Sequence, residues 1–454
     1  MKDAGQYSLP NLVSKATGAF YGWKLVGISV FMLALMSLTV FQGLGTYLVA
    51  LERGFGWSRT QLSLAFSLAR GESAVLGPFE GWLIDKLGNR TMILIGYVVM
   101  GIGFIWFSQI EFLAGLGLLG WIDFLDERLV HFYIAFMIIT LGSGLGGWLA
   151  MISMVNNWFV RKRSLAIATA MSGVHIGAYL VPLLAWGVDN HGFQITTLII
   201  GIVLLVSVGP VAKAVRNRPE DMGLSPDGDR VRRGSTASQT SAGPQDDEPE
   251  FTVGQALRTS AFWTLTIVHL SSTISIVTLS IHLAPKLTDM GFSLTAAGLV
   301  PVVYTSVALP AQFIAGFVAD KFPKPLVTFV FLLFQAAGIL VIAFAESAPM
   351  AYLFAVLYGI GFGGRIPLLT AIRGEYFGRK AFATIMGLSQ FPNNIAMIFA
   401  PLFAGFMYDR YESYFIPFLA FSVLAFLGAL LMLTVRRPRL AQSPTASQQE
   451  ATAD

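Results

Sequence analysis

The chain has 454 residues, of which 55% are hydrophobic and only 12% charged, with a mean hydropathy of +0.66. That is too little charge to cover the surface of a water-soluble protein. A net charge of +4 and a pI near 9.2 do not indicate nucleic acid, because the basic residues sit in short loops, and the lack of cysteine excludes a disulfide framework, a thiolate metal site and a Cys nucleophile.

A hydrocarbon core of about 30 Å takes roughly 20 helical residues to cross, and backbone groups there must pair within their own segment. Runs of that length predict spans near 25–50, 60–82, 91–108, 130–155, 164–187 and 193–213, then 261–285, 294–317, 326–345, 349–372, 382–405 and 413–435. The first run is too long for a signal-peptide core and lacks a cleavage site after it, so it reads as a span. The expected layout is a tail over 1–20, a bundle over 21–213, a linker over 214–258, a second bundle over 259–437 and a disordered tail over 438–454. Within the linker, 225–250 is rich in Gly, Ser, Pro, Asp and Arg, which predicts mobility. Segment 111–128 sets Trp121, Ile122, Phe124 and Leu125 against Asp123, Asp126 and Glu127, and reads as an interfacial amphipathic piece or a long loop. Placing both termini in the cytoplasm puts 23 of the 30 Lys and Arg on that side, as a multi-pass inner (plasma) membrane protein requires.

The chain repeats itself. Gly56-Trp57-Ser58-Arg59-Thr60 recurs as Gly291-Phe292-Ser293-Leu294-Thr295, and Gly81-Trp82-Leu83-Ile84-Asp85-Lys86 as Gly316-Phe317-Val318-Ala319-Asp320-Lys321, both at an offset of 235. Trp158-Phe159-Val160-Arg161-Lys162 matches Tyr376-Phe377-Gly378-Arg379-Lys380. Two kindred six-helix halves are expected, an all-α membrane protein of twelve transmembrane helices in two pseudo-symmetric bundles.

The stretch Gly81-Trp82-Leu83-Ile84-Asp85-Lys86-Leu87-Gly88-Asn89-Arg90 resembles the loop motif of the major facilitator superfamily, G-x-x-x-D-[RK]-x-G-x-[RK], between the second and third spans. Gly81 permits close approach of a helix from the other half, Asp85 can face a helix N terminus, and Lys86 and Arg90 supply cations. The second copy keeps Gly316, Asp320 and Lys321 and loses the second glycine. In that family the cluster steadies one end of the alternating-access cycle. Phe20-Tyr21-Gly22-Trp23, Phe55-Gly56-Trp57-Ser58-Arg59 and Asn157-Trp158-Phe159-Val160-Arg161-Lys162-Arg163-Ser164-Leu165-Ala166 resemble bacterial monocarboxylate and oxalate/formate porters. One departure is that 300–317 lacks the arginine those porters place in the eighth helix. The arginine-containing motif and Gly-Pro pair of drug/proton antiporters are also missing, which disfavours drug efflux.

Ionisable groups at mid-membrane depth are costly and mark candidate sites. Arg70 shares a stripe with Ala74, Gly77 and Gly81, a face expected to meet Gln390, Asn393 and Asn394 on the eleventh span. It is a candidate for an anionic substrate, the alternative being an ion pair with Glu72 or Glu80. Arg365, in Gly361-Phe362-Gly363-Gly364-Arg365-Ile366-Pro367, reads as a substrate contact, a gate pair or a snorkelling side chain. His175 aligns with Asn393 at an offset of 218; His175 and Glu72 are candidates for proton coupling. Gln42, Ser272 and Tyr304 complete the substrate-site candidates. With no phosphate loop, metal cluster or nucleophile elbow, no catalysed reaction and no cofactor are expected.

The resulting expectation is a secondary transporter of a small organic anion such as a monocarboxylate, coupled to H+ or another ion or working by exchange. It would act as a monomer in the lipid bilayer, without nucleic acid. Rivals are a neutral or cationic cargo, an exporter, and a transport-silent sensor, for which no signalling domain is apparent.

Overall fold

A computed structural model describes residues 20–57, 59–117, 126–228, 250–292 and 294–439. The N-terminal tail up to residue 19, the central part of the linker (229–249), positions 118–125 of the segment 111–128, and 440–454 lie outside the described residues. Helix α1 begins as Tyr21–Met36, widens into a π-helical turn at Ser37–Gln42 and ends as Leu44–Phe55. Next come α2 (Arg59–Leu87), α3 (Asn89–Ser108) and α4, which Gly147 breaks into Glu127–Gly146 and Trp148–Trp158. Helix α5 starts as Arg163–Tyr179. The following stretch, Val181–Ala214, is interrupted at Gly192 (φ 79°), a left-handed turn that glycine adopts without strain, so 181–191 finishes α5 and 193–214 forms α6.

The second half comprises α7 (Ser260–Asp289), α8 (Leu294–Ala319), α9 (Lys324–Ala343), α10 (Ala348–Phe377), α11 (Phe382–Tyr411) and α12 (Phe415–Met432). Nine stretches of the described residues are long and apolar enough to cross a membrane, and one of them, Arg163–Ala214, holds both α5 and α6. The two helices outside that set are α2 and α11. They interrupt their apolar runs with Arg70, Glu72 and Glu80 and with Gln390, Asn393 and Asn394.

Within the first half α1 packs on α5, α4 on α2 and α3, and α6 on α3. In the second half α7 packs on α11, α10 on α8 and α9, and α12 on α9. Every pairing recurs six helices later. Lipid offers no hydrophobic drive between helices, so close backbone contact has to hold them. A Cβ on Gly96 of α3 would lie 2.3 Å from the Gly146 nitrogen, and one on Gly361 of α10 would lie 2.3 Å from the Gln335 nitrogen of α9. The halves meet along α2–α11 and α5–α8.

Residues Ala371, Phe382, Ala383 and Met386 join the apolar core of the first half. The bundle end that carries the linker is therefore packed across both halves; this end is called the linker end below. At the opposite end the second half has a core of its own, around Leu283, Phe354 and Phe418.

Asp126 caps α4 by accepting from the Arg128 backbone N–H at 3.0 Å and from Trp57 Nε1 at 3.2 Å. Burial alone would raise its carboxyl, but bonds from Arg128 and Trp57, together with the Arg128 charge, hold it below the usual carboxylate range. A lowered carboxyl contributes stability that is present above its unfolded value and is lost as pH falls through the folded one. Asp126→Ala is expected to cost about 1 kcal/mol, as loss of an N-cap does, read as a lower melting temperature in detergent at neutral pH. The gap between variant and parent should close as the buffer is taken below about pH 4.

Candidate functional site

The two motif aspartates take equivalent places at the linker end. Asp85 accepts from the backbone N–H of Ala383 (3.2 Å) and Thr384 (2.8 Å) and from the Thr384 hydroxyl (2.6 Å), in the first turn of α11. Asp320 accepts from the N–H groups of Ser164 (3.0 Å) and Leu165 (3.1 Å), in the first turn of α5. Each carboxylate thus satisfies otherwise open donors at the positive end of a helix from the other half. Gly81 and Gly316 bring the backbones together: a Cβ on Gly81 would lie 2.4 Å from the Ala383 carbonyl oxygen, and one on Gly316 3.0 Å from that of Ser164.

The motif cations take other partners. Lys86 lies over the Trp82 ring (4.5 Å) and Lys321 over Phe317 (4.1 Å), the same cation–π contact in both copies. Gly88 turns with φ 83°, and the next turn is held by Asn217, whose side chain accepts from the Arg90 N–H at 2.9 Å. Arg379 also bridges the halves, donating to the Asn157 carbonyl (2.9 Å) and to Glu220 (3.0 Å).

Deeper in the bundle the candidate residues fall into two groups. The first borders a cavity of about 310 Å³ between α1, α2, α4 and α11, lined among others by Glu80, Thr140, Ser143, Gln390 and Asn394. Glu72 accepts from Thr140 in this wall, and Asn393, 1% exposed, donates to Gln390 Oε1 at 3.0 Å. The second group is the interior of the second half. Arg365 is fully buried, and its Nη1 donates to the hydroxyls of Ser272 (2.7 Å) and Thr273 (3.3 Å). Burial of its whole side chain sets aside the snorkelling alternative. Tyr304 and Tyr358 pack on the Phe362 ring, and His175 reaches the same ring from α5 at 6.3 Å, so Phe362 is a point where the halves touch. Gln42 and Arg70 lie on described helical backbone, but their side chains are outside the described part.

Sequence reasoning passed over several groups. Gln335 of α9 donates to the Ser272 carbonyl (2.9 Å) and the Ser275 hydroxyl (3.1 Å), beside the Ser272 hydroxyl that Arg365 bonds. Gln312 of α8 donates across the halves to the Ala168 carbonyl at 2.6 Å. Arg373 is buried and donates to the carbonyls of Leu369 and Leu265. A lone amide or guanidinium inside an apolar run was the available signal for all three.

The sequence model of the Major Facilitator Superfamily matches residues 30–287 and 261–453, and this chain belongs to that family. It is a multi-pass membrane transporter of a small molecule, and not an enzyme. Rat (Rattus norvegicus) monocarboxylate transporter 13 is 24% identical over 422 residues, covering 91% of this chain and 89% of that one. The benzoate transport protein of Acinetobacter baylyi is 23% identical over 341 residues, covering 68% of this chain and 71% of that one. Among solved structures, the E. coli fucose:proton symporter superposes with a TM-score of 0.70 at 12% identity, covering 92% of this chain and 98% of that one. That likeness concerns the fold alone.

Proposed function

We propose that this transporter moves a small organic anion, a monocarboxylate in class, by rocking of its two halves about a mid-membrane site, with the linker end in the cytoplasm. The observation that carries this reading is the state of Arg365. Its Nη1 is taken by Ser272 and Thr273, whereas Nε and Nη2 have no partner among the described residues. Those two N–H groups form one edge of the guanidinium and point the same way, which is the edge that grips a carboxylate with two parallel bonds. A buried cation with open donors and no acid is costly, and an arriving anion removes that cost. The rings of Tyr304, Tyr358 and Phe362 beside it suit an apolar carboxylate body. The printed names of the relatives, a monocarboxylate and a benzoate transporter, agree with such a cargo.

The test is uptake of labelled lactate and benzoate into proteoliposomes. Arg365→Gln is expected to lower uptake about 10- to 100-fold, the equivalent of charge-assisted bonds worth about 1.5–3 kcal/mol. Arg365→Lys, which keeps the charge but loses the fork, should recover little of it. Unchanged uptake in Arg365→Gln would remove this reading. The acids Glu72 and Glu80 favour a cationic cargo instead, and competition by choline but not by acetate would establish that alternative.

A further inference from the structure

We infer that Glu80 carries a coupled proton through the transport cycle, a role that rests on reading this chain as an ion-coupled anion transporter. Glu80 is 7% exposed and lines the 310 Å³ cavity between α1, α2, α4 and α11. It makes no hydrogen bond or ion pair among the described residues. Glu72, by contrast, accepts from Thr140. An unpaired carboxylate at such a place costs several kcal/mol, a cost that proton uptake removes.

Among the described residues that line this cavity, none is a cation. Helix α1 presents Val40 and Phe41 to the cavity, α4 presents Thr140, Ser143, Gly144 and Trp148, and α11 presents Gly387, Gln390 and Asn394; none of these ionises. On α2 itself, Glu72 lies two turns away and is also an acid, while Asp85 is engaged with the α11 N terminus. The hydroxyl-bearing Ser73, Thr140 and Ser143 line the same cavity as Glu80.

The location also ties proton access to the gate. Glu80 directly precedes Gly81, whose backbone is seated against Ala383. A Cβ on Gly387 would lie 2.5 Å from the Gly77 carbonyl oxygen, so α2 and α11 are in backbone contact on both sides of Glu80. Parting of the halves at the linker end would break these contacts and expose Glu80 to that side. The chemistry balances simply: the acid releases H+ and becomes a carboxylate, and one proton moved with one monocarboxylate carries no net charge.

The chain has no cysteine, so spin labels can be placed uniquely at Thr91→Cys and Leu326→Cys, exposed positions at the linker ends of α3 and α9. In the labelled parent, without any organic anion, the distance distribution is expected to change between acidic and alkaline buffer. Glu80→Gln should abolish that change. A response that survives in Glu80→Gln, one lost in Glu72→Gln only, or one that follows Na+ at fixed pH would each overturn the assignment. In proteoliposomes, Glu80→Gln should lose lactate accumulation driven by an inward proton gradient while still exchanging lactate for lactate, which shows that it folds. Gradient-driven accumulation equal to the parent's would also overturn it. If the parent itself moves no lactate, the anion reading fails and the label experiment still decides the role of Glu80.

Discussion

Gly81→Ala is expected to open the linker end of the molecule, while Gly71→Ala, on the same helix, leaves it shut. A Cβ at position 81 would lie 2.4 Å from the Ala383 oxygen, 2.8 Å from its carbonyl carbon and 2.9 Å from the Thr384 Cα. All three are backbone atoms in a turn that Asp85 holds, so no rotamer change can make room. Overpacking of this kind costs about 1–3 kcal/mol. That lowers the sealed population relative to the open one by about 5- to 150-fold. At Gly71 a Cβ would meet nothing within 4 Å, and alanine there improves helix propensity by up to about 1 kcal/mol. Gly316→Ala should act more weakly than Gly81→Ala, because its nearest neighbour, at 2.9 Å, is the Ala168 side chain. Distances between labels at positions 91 and 326 report the outcome. A parent-like distribution in Gly81→Ala would mean that this contact does not seal the end.

The helices and their duplication were legible because lipid imposes length and the repeat imposes register. Hydropathy located twelve spans, and the offset of 235 identified Asp85 and Asp320 as equivalent. Breaks inside helices were less visible. The π-helical turn that follows Met36 lies in an apolar run whose composition does not change, whereas the break at Gly147 ends the glycine-rich string 142–147. For the site, depth was readable and direction was not. Arg365 was legible as a deep cation, but choosing among gate, substrate contact and snorkelling required the seat made by Ser272 on α7, 93 positions away in sequence. Glu80, read from the sequence only as an ion-pair alternative for Arg70, lines the cavity between α1, α2, α4 and α11. The tenth span was expected to end at residue 372, whereas the helix runs to Phe377 and takes in Arg373.

The largest shift is expected when both motif aspartates lose their charge. Asp85→Asn with Asp320→Asn should convert a population sealed at the linker end into one that is mostly open there. Each carboxylate closes two backbone N–H groups at the start of a helix from the other half, and Asp85 also takes the Thr384 hydroxyl. An amide has one acceptor oxygen, and its NH2 group would face donors. A charge at a partly buried helix N terminus contributes up to about 2 kcal/mol. The two sites sit on different contacts, α2–α11 and α5–α8, but bias the same closure, so their losses should roughly add. About 4 kcal/mol corresponds to a change of nearly 10³-fold in the ratio of states. Of the single variants, Asp85→Asn should shift the label distances further than Asp320→Asn, since it forfeits one more bond. Helical content measured by circular dichroism should remain that of the parent, because both changes act between bundles and not within one. A double variant whose labels stay at the sealed distance would show that apolar packing around Ala383 and Met386 closes this end without the carboxylates.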